Sequence, residues 1–325
     1  MESHPSLILL GRPYDRAAAL LDGRILVGKK KLRCELAADT LGSFRRLQND
    51  DAVLAGEMSL GFQVASVSSG ERSRFLAIPV YLSRAFRHGN VFVRKDSPLT
   101  DFSQLQGKRV GLEEYAMTMG IWCRGLFADA GVACESIHWF TAREPVVVPE
   151  VEEKLKRRMR IERAAAPIFT LLEQGKIDAA IGRPPDGVSP DEGAFRRLLN
   201  DHWGHQRRYY ARTGIFPTMH VLVVRREAYE EDPQIALDLY DAFQESKRIL
   251  FAEMRSHLNS LITTLPMLEA HVRDTIELFG EDWWPYGITK NRATLDAFIS
   301  YCHTQGVVGR PVELEEIFCP NTLGF

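Results

Sequence analysis

Short apolar runs alternate along this chain with longer segments in which apolar residues return every three or four positions. The short runs predict buried strands, and they occur at 7–10, 32–36, 75–80, 90–94, 177–182 and 219–225. Met119, Trp122 and Leu126 share one helical face, which predicts a helix from about residue 116 to 130 that ends at Gly131. This alternation of strands and helices favours an α/β fold with a largely parallel sheet.

Two breaks divide the chain. The turn at 95–98 closes a first group of elements, and a second group follows it. After Phe216-Pro217 the pattern returns to a strand and a long amphipathic helix. We therefore predict a discontinuous first lobe, 1–94 plus 217–325, and an inserted second lobe, 95–216. The length of 325 residues agrees with two domains.

Composition and charge narrow the class of protein. A net charge of −2, with 26% charged residues, gives no general attraction to nucleic acid, and we expect no nucleic-acid partner. No apolar run approaches the ~18 residues that a membrane span needs, so we expect no membrane partner. The segment 1–5 lacks a positive region, and the five cysteines have no Cys-x-x-Cys spacing. Together they predict a cytoplasmic protein with free thiols. The sequence leaves open whether the protein is a homo-oligomer.

Residues 83–88 carry the first candidate chemistry. Arg84, Arg87 and His88 follow the predicted strand 75–80 within a few positions. A guanidinium group can grip a carboxylate with two hydrogen bonds, and an imidazole can move a proton near neutral pH. The segment therefore suggests a site for a small carboxylated molecule with a proton donor in reach. The alternative is a solvated basic loop.

Several short sequence segments, taken in their order along the chain, resemble those of a known family. They are Tyr14-Asp15-Arg16, Glu57-Met58-Ser59-Leu60, residues 83–88, Ile177-Asp178-Ala179 with Arg183-Pro184-Pro185, Gly214-Ile215-Phe216-Pro217 with Met219-His220, and Trp284-Pro285-Tyr286-Gly287. This ordered set resembles the 4,5-dihydroxyphthalate decarboxylase family over nearly the whole chain. The segment 38–44 departs from the family pattern because it lacks a Pro/Glu-rich loop, and the charged stretch 150–163 is also unusual. These departures concern the substrate more than the reaction class.

The resemblance implies a fold and a reaction. The fold is a two-lobed α/β architecture of the type II periplasmic-binding-protein kind, in which each lobe is a mixed sheet flanked by helices and a cleft separates the lobes. The reaction is the non-oxidative decarboxylation of 4,5-dihydroxyphthalate to 3,4-dihydroxybenzoate, a step in phthalate degradation. The alternative on the same fold is a non-catalytic solute-binding protein or sensor for a small carboxylate, since fold does not determine function.

The reaction needs cations that hold a dianion, a base at a phenol and an acid at the ring carbon. We predict His88, His220 and Glu57 as the proton carriers, with the two histidines facing each other near the two crossovers between the lobes. The predicted substrate-binding residues are Arg84, Arg87, Arg16, Tyr14, Ser59, Thr118, Arg183 and Tyr286. Arg16 has an alternative role in an ion pair with Asp15 or Asp22. No cofactor is required, although His88, His220 and Glu57 would suit a divalent metal ion if they met.

Overall fold

The computed structural model describes residues 8–28, 32–70, 72–144, 149–184, 193–257 and 264–325. Its strands are β1 (Ile8–Gly11), β2 (Arg33–Leu36), β3 (Val53–Ser59), β4 (Phe75–Arg84), β5 (Val91–Arg94), β6 (Arg109–Leu112), β7 (His138–Thr141), β8 (Arg160–Arg163), β9 (Ala179–Ile181), β10 (Phe195–Arg197) and β11 (Thr218–Arg225). Its helices are α1 (Ala18–Leu21), α2 (Thr40–Asn49), α3 (Leu60–Ser68), α4 (Thr118–Asp129), α5 (Pro149–Arg158), α6 (Ile168–Glu173), α7 (His202–Thr213), α8 (Arg226–Glu231), α9 (Gln234–His257), α10 (Leu268–Phe279), α11 (Arg292–Thr304) and α12 (Leu314–Ile317).

The strands form two mixed sheets. The first has the order β2-β1-β3-β11-β4, and the second has the order β10-β5-β9-β6-β7-β8. In the first sheet β1 runs parallel to β2 and β3, whereas β11 runs antiparallel to β3 and β4. In the second, β6 is parallel to β7 and β9, and β5 is antiparallel to β9 and β10. The predicted mixed-sheet α/β fold class is therefore confirmed.

The first crossover lies earlier than the sequence predicted. We placed the boundary after residue 94, but β5 pairs with β9 and β10 and so belongs to the second sheet. The chain leaves the first sheet at Arg84 and enters the second at Val91, through a short turn of 3-10 helix at His88–Asn90. The sequence run 90–94 looked like a continuation of the first unit because an apolar strand has the same pattern in either sheet.

Helix α4 packs the two lobes together. The indole of Trp122 donates to the carbonyl of Thr218 at 2.9 Å, and Arg124, fully buried, donates through Nε to Oε1 of Gln305 at 2.8 Å. The helix ends where the sequence predicted, since Gly131 has a φ of 81°, a conformation that glycine adopts without steric cost. One apolar core cluster contains residues of both sheets. This packing fixes the second lobe against the carboxyl-terminal helices.

Two further findings concern the charged stretch and the membrane. The stretch 150–163 divides into most of α5 and the edge strand β8, whose side chains are largely exposed. Among the described strands, β8 pairs with β7 alone and lies at the edge of the sheet, so charged side chains are tolerated along it. Across the residues that the structure describes, no helix combines the length and the apolar character that a bilayer span requires.

Candidate active site

A fully buried carboxylate forms the centre of the candidate site. Oε1 of Glu57 accepts a hydrogen bond from the Tyr14 hydroxyl at 2.7 Å and lies 2.6 Å from Nδ1 of His220. Oε2 of Glu57 is buried and has no hydrogen-bond partner in the described part of the chain. The structure therefore joins three residues that the sequence analysis had predicted separately. We name Tyr14, Glu57 and His220 the acid–base cluster.

Strand pairing places these side chains together. On the antiparallel strands β3 and β11, Ser59 lies opposite His220 and Glu57 lies opposite Leu222, so Glu57 and His220 are diagonal neighbours. The pairing of β11 with β4 shifts register on both sides of His220, an irregularity of the kind that redirects a side chain. Tyr14 follows β1, which is parallel to β3, so both chain segments leave the sheet at the same edge.

The hydrogen bonds give each group of the cluster a defined chemical role. An ionised carboxylate only accepts, so two donors on one oxygen fit an ionised Glu57 with a proton on Nδ1 of His220. Nε2 of His220 is then the basic nitrogen, and it has no hydrogen-bond partner among the described residues. Burial, followed by the nearby charge of Glu57, raises the pKa of Tyr14 above its usual range. Tyr14 therefore stays protonated at neutral pH and donates to Glu57. Its hydroxyl, which we predicted to bind the substrate, is engaged in this hydrogen bond.

Two arginines flank Tyr14, and one of them was missed by the sequence analysis. Arg12 donates to the Thr40 hydroxyl, lies 5.9 Å from the centroid of the Tyr14 ring and has a buried Nε without a partner in the described chain. Arg12 is the first residue after β1, and ligands of α/β sheets collect at such strand ends. The same positional rule led us to Arg16 and should have led us to Arg12 as well.

Arg16 is held by its own chain. Its guanidinium carbon lies 4.3 Å from the centroid of the Tyr14 ring and 4.1 Å from that of Trp284. Nη1 pairs with Asp15 at 3.2 Å, and Nη2 donates to the carbonyl of Leu82. The ion pair with Asp15, one of the two alternatives for Arg16, is therefore present. These contacts leave Nε as the nitrogen of Arg16 without a partner in the described chain, and it is buried.

Ser59 and Thr118 meet across the two lobes. Their hydroxyls lie 2.9 Å apart, and the amide of Gly61 donates to the Thr118 hydroxyl at 3.1 Å. Ser59 caps the amino terminus of α3, and Thr118 begins α4, so two helix amino termini face each other here. Such termini present amide donors that favour anions. A side chain at position 61 would be crowded, because a Cβ there would lie 3.0 Å from Thr118 Oγ1.

Arg84 does not present its guanidinium to a ligand in this structure. Its Nη2 donates to the side chain of Asn291 and to the carbonyl of Pro285, the latter at 3.1 Å, and the residue is 7% exposed. Its guanidinium also lies over the rings of Tyr81 and Phe216. The position follows from the strand: Arg84 is the last residue of β4, and its side chain turns into the first lobe. These contacts favour a structural role for Arg84 over the carboxylate clamp that we predicted.

His88 lies apart from the acid–base cluster. It is 4% exposed, and its ring contacts are Phe86, Phe102, His205 and Tyr209. The crossover turn directs it toward α7, so it does not face His220 across the cleft as we predicted. Among the described residues, no three His, Cys, Asp or Glu side chains lie close enough together to hold a metal ion. The set His88, His220 and Glu57 is therefore not assembled.

The position of His88 predicts a pH-dependent stability. Burial, and then the charges of His205 and His202, lower the pKa of His88 from 6.5 to about 4. Because the unfolded state binds this proton more readily, His88 stabilises the fold fully above pH 6.5, and the stabilisation is lost as the pH falls toward 4. A shift of this size corresponds to about 3 kcal/mol. We expect His88→Gln to flatten the dependence of the unfolding free energy on pH between 6.5 and 4.

Urea unfolding at several pH values measures this effect. The neighbouring titratable groups His202, His205 and Tyr209, as well as Asp101 beside His205, remain in the variant and contribute equally to both curves. His303→Gln on α11 is the matched control, since His303 is exposed. Parallel curves for the wild type and His88→Gln would contradict the prediction.

The remaining predicted substrate-binding residues are Tyr286 and Arg87, which are buried, and Arg183, which is exposed. Tyr286 is buried, its hydroxyl has no partner in the described chain, and Nζ of Lys247 lies 4.7 Å from its ring centroid. Burial raises its pKa above the usual range, so it is a neutral phenol. Arg87 is buried at the first crossover, whereas Arg183 follows β9 and is exposed. Neither arginine forms an ion pair with a described residue.

Comparison with solved structures supports the fold. The periplasmic aliphatic sulphonate binding protein of Escherichia coli aligns with a TM-score of 0.54 and 12% identity, over 97% of this chain and 92% of that one. A ligand-binding component of an ABC-type import system from Staphylococcus aureus aligns with a TM-score of 0.55 and 11% identity, over 98% and 97% of the two chains. At these identities the likeness concerns the fold alone, and it confirms the periplasmic-binding-protein architecture.

Comparison with characterised sequences identifies the family. No protein-family model matches the chain. The 4,5-dihydroxyphthalate decarboxylase of Comamonas testosteroni is 30% identical over 316 residues, which cover 95% of each chain. The protein of the same name from Pseudomonas putida is 28% identical over 203 residues, 61% of this chain and 78% of that protein. The chain spans nearly the whole length of the first of these relatives, and we conclude that it belongs to the 4,5-dihydroxyphthalate decarboxylase family.

Proposed function

We propose that the protein is a non-oxidative decarboxylase that converts 4,5-dihydroxyphthalate to 3,4-dihydroxybenzoate and CO2 by acid–base chemistry at the acid–base cluster. One observation carries the proposal: a fully buried Glu57 accepts from Tyr14 and aligns Nδ1 of His220 at 2.6 Å. A carboxylate that fixes one imidazole nitrogen leaves the other as a base, the arrangement found in hydrolytic triads. Both relatives are named for this activity.

The proposed reaction begins at the phenol. Each carboxylate of the substrate lies para to a hydroxyl. Nε2 of His220 takes the proton of that hydroxyl, and the electron pair released into the ring increases the density on the carbon that bears the carboxylate. A proton from solvent adds to this carbon, the bond to the carboxylate carbon breaks as CO2 leaves, and its electron pair restores the aromatic ring. The imidazolium then returns its proton to the phenolate oxygen, so the net reaction consumes one proton.

The surrounding groups support binding of a dianion. The amino terminus of α4 supplies amide donors beside the cluster, while the Gly61 and Phe62 amides of α3 already donate to Thr118 and Ser59. Arg12 supplies a guanidinium whose buried Nε has no partner within the described residues. Phe44 contacts the His220 ring edge-on at 5.2 Å between centroids, so the imidazole has an aromatic neighbour that could pack beside a substrate ring. The cytoplasmic location predicted from the sequence belongs to this proposal.

Product analysis tests the proposal directly. Purified protein is given 4,5-dihydroxyphthalate with and without EDTA, and CO2 and 3,4-dihydroxybenzoate are measured together. We expect both products in equal amounts, at a rate that EDTA leaves unchanged. Release that EDTA abolishes and a divalent ion restores would contradict the metal-free mechanism. Tight binding in a calorimetric titration with no release would contradict the enzyme and support a solute-binding protein, the kind of protein that shares this fold.

A further inference from the structure

Arg87 is a buried cation without an anionic partner among the described residues. It is 6% exposed, its Nε donates to the thioether sulfur of Met219 at 3.2 Å, and its Nη1 donates to the side-chain oxygen of Asn90 at 3.3 Å. A thioether is a weak acceptor. Nη2 of Arg87 makes no hydrogen bond within the described ranges. Burial of a cation is costly unless a counter-charge or strong acceptors surround it, so this guanidinium is poorly satisfied by its own chain.

Arg225 shows how the same chain satisfies a buried arginine that has a structural role. Its Nε donates to the carbonyl of Val53 at 2.7 Å, and its Nη2 donates to the carbonyls of Leu47 and Asp50 at 3.2 and 2.6 Å. Its Nη1 also lies 3.3 Å from the carboxylate of Asp51. Arg87 has neither backbone carbonyls nor a carboxylate among its described contacts. Arg84 and Arg124 each leave one buried nitrogen unpaired among the described residues, yet each still donates to a backbone carbonyl. The lack of any carbonyl or carboxylate contact is what distinguishes Arg87, and it indicates that this guanidinium keeps donors for a group outside the chain.

Asn90 brings a second arginine to the same place. Its backbone carbonyl accepts from the amide of Gly182 at 3.0 Å, and its side-chain amide donates to the Gly182 carbonyl at 3.1 Å. Arg183 is the next residue, it is exposed, and it has no hydrogen bond or ion pair with a described residue. Burial first, and the charge of Arg183 in addition, lower the pKa of Arg87 to about 10. Arg87 therefore remains a cation at neutral pH, and none of the described contacts of Arg87 or Arg183 supplies a counter-charge.

We propose that Arg87 and Arg183 form a binding site for the carboxylate group of a small ligand, at the junction of the first crossover with the carboxyl end of β9. Two guanidinium groups with free donors match the oxygens of a carboxylate, and an anion between them removes both the repulsion and the missing counter-charge. The site shares no hydrogen bond with the acid–base cluster. It rests on its own geometry and does not require the proposed reaction.

Calorimetric titration with phthalate, an unreactive dicarboxylate, tests the site. Arg183 is exposed, so Arg183→Gln should fold normally, and we expect its phthalate Kd to rise at least tenfold, the scale of a lost charge-assisted pair. Arg207→Gln on α7 is the matched control, because Arg207 is also exposed and makes no ion pair with a described residue; its Kd should stay within twofold. An unchanged Kd in Arg183→Gln would overturn the proposal.

A second measurement covers the buried arginine. In protein labelled with 15N-arginine, phthalate should shift the Nε resonance of Arg87 in the wild type and fail to do so in Arg183→Gln at the same concentration. Phthalate that binds without moving the Arg87 resonance would overturn the site even if Arg183 matters. Turnover of 4,5-dihydroxyphthalate is measured separately, so loss of the proposed reaction with retained Arg183-dependent binding would contradict only the reaction.

Discussion

His220→Asn is expected to lower kcat for 4,5-dihydroxyphthalate by about 10²–10⁴-fold, the range of a lost general acid or base. The asparagine amide can still donate to Oε1 of Glu57, so the hydrogen bond that now joins Nδ1 to the carboxylate is retained while the basic Nε2 is removed. The side chain of His220 is 17% exposed and its ring packs edge-on against Phe44, so the substitution removes part of that contact but keeps the hydrogen bond that positions the side chain. Substrate affinity should therefore change much less than the rate.

Steady-state kinetics and a calorimetric titration with 4,5-dihydroxyphthalate separate the two effects. His271→Asn on α10 is the matched control, since His271 is exposed and lies on a helix that contributes nothing to the acid–base cluster. We expect wild-type rates from that control. A rate within tenfold of wild type in His220→Asn would remove His220 as the proton carrier and would leave the alignment by Glu57 without a catalytic purpose.

Arg84→Met is expected to destabilise the protein by about 2–4 kcal/mol and to leave the substrate affinity of the folded fraction within twofold of wild type. The substitution removes both hydrogen bonds of Nη2, so the side chain of Asn291 and the carbonyl of Pro285 each lose a donor, at roughly 1–3 kcal/mol for each group left unsatisfied. Burial lowers the pKa of Arg84 to about 10, so removing the cation also recovers part of its desolvation cost. The range reflects these opposing effects.

Urea unfolding together with a titration of the folded variant provides the measurement. Arg74→Met is the control: Arg74 precedes the same strand, is exposed and pairs with Asp51 at the surface, so its removal should cost no more than ~1 kcal/mol. The carboxylate clamp predicted from sequence gives the opposite outcome, a Kd at least ten times higher with little loss of stability. Arg84→Met thus decides between the two roles of this residue.

The strand and helix pattern was readable because the central strands bury both faces and read as continuous apolar runs, whereas an amphipathic helix repeats its apolar residues every three or four positions. Apolar runs placed the strands 8–11, 75–84 and 218–225 close to where the structure has them, and a glycine marked the end of α4. The first crossover was misplaced because a buried strand of one sheet has the same composition as a buried strand of the other. Pairing partners, which decide the sheet, are set by contacts distant in sequence.

Residue type indicated which side chains could do the chemistry, whereas packing decided which of them meet in one site. Glu57 stood out in sequence because a carboxylate interrupts an apolar segment, and the structure places it at the centre of the acid–base cluster. Arg84 and Arg87 are three residues apart and indistinguishable in sequence, yet Arg84 donates to the side chain of Asn291 and a backbone carbonyl, whereas Arg87 donates to a thioether and to the side chain of Asn90. Arg12 could have been found from its place directly after β1, whereas its contact with Thr40 is visible only in the fold.

The sequence by itself determined the α/β class, the two-lobed family and the presence of histidines, arginines and a carboxylate suited to acid–base work on a carboxylated ring. These follow from local periodicity, from residue chemistry and from the ordered set of short segments that resemble the family. The tertiary structure decided which groups meet. His220 reaches Glu57 through strand register, and His88 turns toward α7 because the crossover directs it there. Contacts between residues far apart in the chain are set by the fold, and the pattern of residues along the sequence does not reveal them.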